Sequence, residues 1–200
     1  IAVWYGPNQT FGPDGDPQKW VNIVGKVTST AQLVSLSYTL NGGPSQTLSI
    51  GPNSSRLIDA GDFNIELDYT DLLPGNNTVL ITATDNAAGV GQAVVTVNYQ
   101  PFAGAWTPGT YTINWAGGTK VNDVAQVVDG LWNIEAGKAR APIMGFDRLI
   151  AIGDLSWRDY TVTVPITINS MALNNNPGVG SMVRWQGHFD ACNGMKPVAA

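Results

Sequence analysis

From Thr161 to Ile168 apolar and polar residues alternate without a break. Val162, Val164, Ile166 and Ile168 fall on one side, Thr161, Thr163, Pro165 and Thr167 on the other. A period of two marks a half-buried strand, whereas an amphipathic helix repeats its apolar face about every 3.6 residues. The alternation predicts a strand over 160–168. Similar but shorter runs recur along the chain, and helical periodicity is absent from the first hundred residues. The expected fold class is therefore all-β.

Composition narrows the setting. Charged residues are 12% of the chain, against ~25% in an average soluble domain. Gly, Asn, Thr, Ser and Pro take their place, while the apolar fraction of 44% and the net charge of −5 are those of a folded protein. No run of Lys and Arg could neutralise phosphates, so nucleic acid is not an expected partner. No apolar run approaches the ~20 residues of a membrane-spanning helix. The one cysteine, Cys192, allows no disulfide within the chain. This balance fits a turn-rich protein that is secreted or displayed at a cell surface. The chain opens on Ile1 without a charged-then-apolar leader and is expected to be a segment of a longer polypeptide.

Residues 1–100 read as one sandwich. Strands are predicted at 2–5, 20–28, 33–40, 46–50, 63–69, 78–84 and 93–99. Between them lie turns such as Asn41-Gly42-Gly43-Pro44 and Pro74-Gly75-Asn76-Asn77. Gly and Asn tolerate positive φ there, and Pro presets the first turn position. Along 20–28, Val21, Ile23 and Gly25 oppose Asn22 and Val24. Seven strands in about a hundred residues match an immunoglobulin-like sandwich. The stretch 73–89, L-P-G-N-N-T-V-L-I-T-A-T-D-N-A-A-G, resembles bacterial immunoglobulin-like and fibronectin-III-like modules. That resemblance implies the turn and strand before a last hairpin, and a spacer or docking role.

Residues 101–200 read as a second module, joined through a linker at Gln100-Pro101-Phe102-Ala103-Gly104. Strands are predicted at 110–115, 131–135, 138–141, 148–152, 160–168 and 181–187, with a hairpin turning at Ala136-Gly137. The order D-G-L-W-N-I-E-A-G-K-A-R, D-R-L-I-A-I-G, W-R-D-Y-T-V-T-V resembles the first part of a laminin-G-like, concanavalin-type jelly roll. The resemblance implies that Trp132 lies on an early core strand and that Trp157 and Tyr160 open the long strand. A jelly roll of eight or more strands should run well past His188. The second module is thus expected to be partial, with an open edge suited to self-association.

Several residues carry candidate chemistry. On a strand over 181–187, Arg184, Gln186 and His188 would share one face and Val183 and Trp185 the other. In a jelly roll such a face binds ligand, although an exposed edge strand would look the same. Trp157, with Arg158 and Asp159 beside it, could stack on a sugar ring or belong to the core with Tyr160. His188 and Cys192 supply neither a second histidine nor a cysteine pair, so they make no structural zinc set. Asp14-Gly15-Asp16 and the loop from Asp59 to Asp62 offer oxygen ligands for calcium, but off the EF-hand spacing. No other cofactor is expected. The carboxylates, Asp59, Asp129, Asp147, Asp154 and Asp190 among them, could include a glycosidase pair, which spacing on a β-scaffold does not reveal.

The sequence reading is a non-catalytic extracellular binding or adhesion region of a larger secreted bacterial protein. Its first-choice partner is a poly- or oligosaccharide, bound by Arg184, Gln186, His188 and Trp157. A fragment of a glycoside hydrolase and a structural unit of a surface layer or filament stand as alternatives.

Overall fold

The computed structural model describes residues 1–53, 56–104, 106, 109–145, 147–170 and 178–188. The protein is all-β. Its first part is a two-sheet sandwich built from β1 (Ala2–Val3), β2 (Asn8–Phe11), β3 (Trp20–Lys26), β4 (Leu33–Leu40), β5 (Gln46–Thr47), β6 (Asp62–Asp68), β7 (Gly75–Asp85) and β8 (Val90–Tyr99). One sheet has the order β1-β3-β6 and the other β2-β8-β7-β4-β5. This is an immunoglobulin-type arrangement, with consecutive strands distributed between two facing sheets. The expected strands are present. One was missed: β2, whose Asn-Gln-Thr-Phe sequence carries little β signal, yet it pairs in parallel with β8 from Asn8↔Thr96 to Phe11↔Tyr99.

The sandwich core follows from the alternation. Val21, Ile23, Phe63, Ile65 and Leu67 face Leu36, Tyr38, Val79, Ile81, Val95 and Val97 across the two sheets. Asn77 closes the turn that precedes β7. Its side chain accepts from the Leu73 amide (2.9 Å) and donates to the Leu73 carbonyl (2.7 Å).

The β7–β8 hairpin turns on Asp85, whose carboxylate accepts from Ser29 Oγ (2.7 Å) and from the amides of Gly89 (2.8 Å) and Ala87 (3.0 Å). The Ser29 and amide hydrogen bonds hold Asp85 below the ordinary carboxylate range. A depressed folded pKa supplies stability that is present above the unfolded value and lost as pH falls through the folded one. The turn amides of Ala87 and Gly89 should therefore keep slow hydrogen exchange down to acid pH and lose it below the ordinary carboxylate range. NMR-detected exchange reads this, and a flat profile would refute it.

The second part has shorter strands: β9 (Gln126–Asp129), β10 (Asn133–Glu135), β11 (Lys138–Arg140) and β12 (Leu149–Ala151). β10 and β11 form the expected hairpin, turning through Ala136 (φ 50°) and Gly137 (φ 70°). β12 pairs antiparallel with β9, a strand that was not predicted. Val121 and Val127 pack with Tyr5 and Val24 on the outer face of the first sheet, and Trp115, Leu131, Trp132 and Ile150 lie against them. No helix among the described residues is long and apolar enough to cross a membrane.

Three strand predictions are corrected. Residues 110–115, 160–168 and 181–187 carry no strand. Alternation specifies a face, but a strand also needs a partner for its backbone groups. Among the described residues none pairs with 160–168, and Val162, Val164, Ile166 and Ile168 are all about half exposed. The jelly roll implied by resemblance is not assembled in these residues.

Candidate functional site

Alternation along β3 and β6 predicts one apolar and one polar face, and the polar face is buried as well. Asn22 of β3 pairs with Glu66 of β6, and Val24 with Asn64. β9 crosses over them. Asn64 Nδ2 donates to the Val128 carbonyl (2.7 Å) and to Asp129 Oδ1 (2.9 Å), while Asn22 Nδ2 donates to Asn64 Oδ1 (3.0 Å) and Glu66 Oε1 (3.2 Å). Arg56 reaches in from the loop before β6. Its Nε donates to Asp129 Oδ1 (2.6 Å) and its Nη2 to Glu66 Oε1 (2.7 Å), with all three side chains at 0–1% exposure. Burial pushes the guanidinium down, and Asp129 and Glu66 outweigh it to hold Arg56 above its ordinary value.

The segment 185–188 covers this network. Lys19 N donates to the Gln186 carbonyl (3.0 Å). Gly187, at φ 116°, lies so close to Trp20 that an added Cβ would sit 2.8 Å from its ring. Buried His188 then places Nε2 3.1 Å from Asp129 Oδ2. Asp147, just before β12, completes a group in which one ligand atom each of Asp129, Asp147 and His188 lies within 4.8 Å of the others. Burial pushes Asp147 up, and the Asp129 charge adds to the rise.

A second cluster lies where the two parts meet. Trp157 contacts Trp106 (ring centroids 5.1 Å), Tyr111 (5.4 Å) and Tyr160 (5.8 Å), all edge-on. Tyr111 and Tyr160 are exposed, while Trp157 is half-buried. The Arg184 amide donates to Tyr160 Oη (2.7 Å), its Nη2 donates to the Arg158 carbonyl (2.9 Å), and the same Nη2 lies 3.7 Å from Asp159 Oδ1.

Beneath the rings, Asp154 Oδ2 accepts from the Asp16 amide (2.9 Å), and Asp16 Oδ2 accepts from Tyr99 Oη (3.1 Å). Burial raises Asp16 above the usual carboxylate range, with Asp154 adding to the rise against the Tyr99 hydrogen bond. Asp154 is also pushed up by burial, but hydrogen bonds from Ser156 and the Asp16 amide outweigh this and hold it low.

The structure thus divides the predicted ligand residues. Trp157 and Arg184 come together through Tyr160. Gln186 is exposed, with its carbonyl on Lys19, and His188 turns inward to Asp129. The expected shared face fails because Arg184 sits at φ 58°, which breaks any extended run through 181–187. The two loops with candidate calcium ligands make contacts of their own. Asp16 binds Tyr99, and Asp59 and Asp62 lie 3.2 and 3.7 Å from Lys26 Nζ. Cys192 and Asp190 lie outside the described residues. The buried network was missed, although Asn22, Asn64 and Glu66 left a signal: Asn is depleted in strands unless a partner is provided.

No family model matches the chain, and no curated protein matches it. Among solved structures it is similar to an endo-β-1,4-mannanase from Thermotoga petrophila (11% identity, TM-score 0.35), over 48% of this chain and 18% of that one. It is also similar to fibronectin(III)-like modules of CbhA from Clostridium thermocellum (13% identity, TM-score 0.32), over 48% of this chain and 93% of that one.

Proposed function

We propose that the chain is a non-catalytic carbohydrate-binding and spacer region of an extracellular protein. The observation that carries this is the face around Trp157. Rings of Trp157, Tyr111 and Tyr160 stand together, and Arg158, Asp159 and Arg184 offer charged hydrogen-bonding groups at the rim. Exposed aromatic surface for the apolar side of a sugar ring, with polar groups beside it for the hydroxyls, is the chemistry such a ligand needs. The immunoglobulin-type sandwich supports this face, joined to it through Asp16 and Asp154.

A hydrolytic reading would use that carboxylate pair, since their environments push their pKa values apart. Both carboxylates already hold the junction: Asp154 accepts from the Asp16 and Ser156 amides, and Asp16 accepts from Tyr99. This favours binding over hydrolysis.

Affinity electrophoresis and calorimetry against soluble β-glucan, mannan and xylan test the proposal. Trp157→Ala should weaken binding about tenfold, the loss expected for roughly 1.4 kcal/mol of stacking, and Arg184→Ala should weaken it less. No binding to any polysaccharide, or equal binding by both variants, would sink the proposal.

A further inference from the structure

We propose that Asp129, Asp147 and His188 form a site for a divalent transition-metal ion, with zinc the best match. The three ligands are far apart in sequence and converge only because β9, the approach to β12 and the segment 185–188 meet over the first sheet. Their ligand atoms lie within 4.8 Å of one another. His188 Nε2 and Asp129 Oδ2 lie at hydrogen-bonding distance, 3.1 Å, and an ion at ~2.0–2.2 Å from each would replace that contact.

Asp129 is held as a ligand carboxylate should be. Its Oδ1 accepts from Arg56 Nε (2.6 Å) and Asn64 Nδ2 (2.9 Å), leaving Oδ2 for the cluster. Outer hydrogen bonds of this kind fix the direction of metal-binding carboxylates. Asp147 supplies an independent sign. Its Oδ2 is buried and has no hydrogen-bond partner, a costly state for a carboxylate oxygen unless a cation meets it.

Beside Arg56, Arg148 is a second cation close to Asp147. Its Nη1 donates to the carbonyls of Arg56 (3.4 Å) and Asp147 (3.3 Å), and Asp147 Oδ2 stays unpartnered. The imidazole selects against calcium and magnesium, which take oxygen ligands, and favours a borderline metal such as zinc. Three protein ligands leave a fourth position for water.

Zinc chloride titrated into the metal-stripped full chain tests the site. Calorimetry should show one equivalent bound, and cobalt in its place should give the visible absorption of a four-coordinate centre. Asp147→Asn and His188→Gln should each weaken zinc binding at least about 100-fold, beyond the 10–100-fold typical of outer-shell changes. Cys192→Ser should bind as the parent does. Zinc should raise the Tm of the parent but not that of Asp147→Asn. If His188→Gln fails to fold without metal, Asp147→Asn, changed at a half-buried residue, decides the matter. The proposal is overturned if the parent binds no stoichiometric zinc, if Asp147→Asn binds as the parent does, or if only Cys192→Ser loses the metal.

Discussion

Replacing Arg56 with alanine is expected to destabilise the chain by about 3–5 kcal/mol, the usual cost of leaving a buried charge without its partner. Arg56 donates to Asp129 (2.6 Å) and Glu66 (2.7 Å), and all three side chains are shut away from water. Removing the guanidinium leaves Asp129 and Glu66 buried beneath β9 with their amide donors Asn64 and Asn22 but without the Arg56 charge between them. The loss should appear as a fall of roughly 6–20 °C in Tm for a chain of this size. Arg56→Lys should recover only part of it, because one ammonium cannot reproduce two diverging N–H donors. Thermal and urea unfolding of both variants check this. A change within about 1 kcal/mol for Arg56→Ala would show that water reaches the pair.

The second large effect is expected at Phe63. Phe63→Ala should cost about 3–5 kcal/mol through lost burial and the cavity left behind. Phe63 is 1% exposed and pairs with Gly25 of β3. Its ring covers that glycine: a Cβ added to Gly25 would sit 2.5 Å from Phe63 Cζ. The space vacated in Phe63→Ala invites a compensating Gly25→Ala, and that rescue should fail. The same Cβ would also lie 2.3 Å from the Ala2 carbonyl oxygen, which is backbone and cannot turn aside. Urea unfolding of the single and double variants tests both statements. Recovery in the double variant would mean that β1 is held more loosely on β3 than its pairing implies.

These two sites differ in how far the chain alone announced them. Phe63 lies in an alternating run, Asp62-Phe63-Asn64-Ile65-Glu66-Leu67-Asp68, whose apolar members point to one side by strand geometry. Arg56 gave no such sign. It sits in an irregular loop, and its partner Asp129 is remote in sequence and belongs to the second part of the chain. The candidate sites divide in the same way. Trp157 stood out, and Tyr160 links it to Arg184 as no spacing rule would predict. Counting twos along a strand places His188 with Arg184 and Gln186. The backbone turns at Arg184 (φ 58°) instead, and the imidazole goes inward.

Local patterning along the chain carries the all-β class, most strands of the sandwich, the core residues on their inner faces, and the Ala136-Gly137 hairpin. These follow from local physics: side chains alternate along an extended backbone, and Gly, Asn and Pro accept the dihedral angles that turns require. The tertiary fold alone buries the polar face of β3 and β6. It also brings Arg56, Glu66, Asp129 and His188 together there and, among the described residues, gives 160–168 no pairing strand despite its alternation. The reason is that burial of a polar face and pairing of a strand both depend on what arrives from elsewhere in the chain. A period of two says which side chains share a face, and nothing about what will cover it.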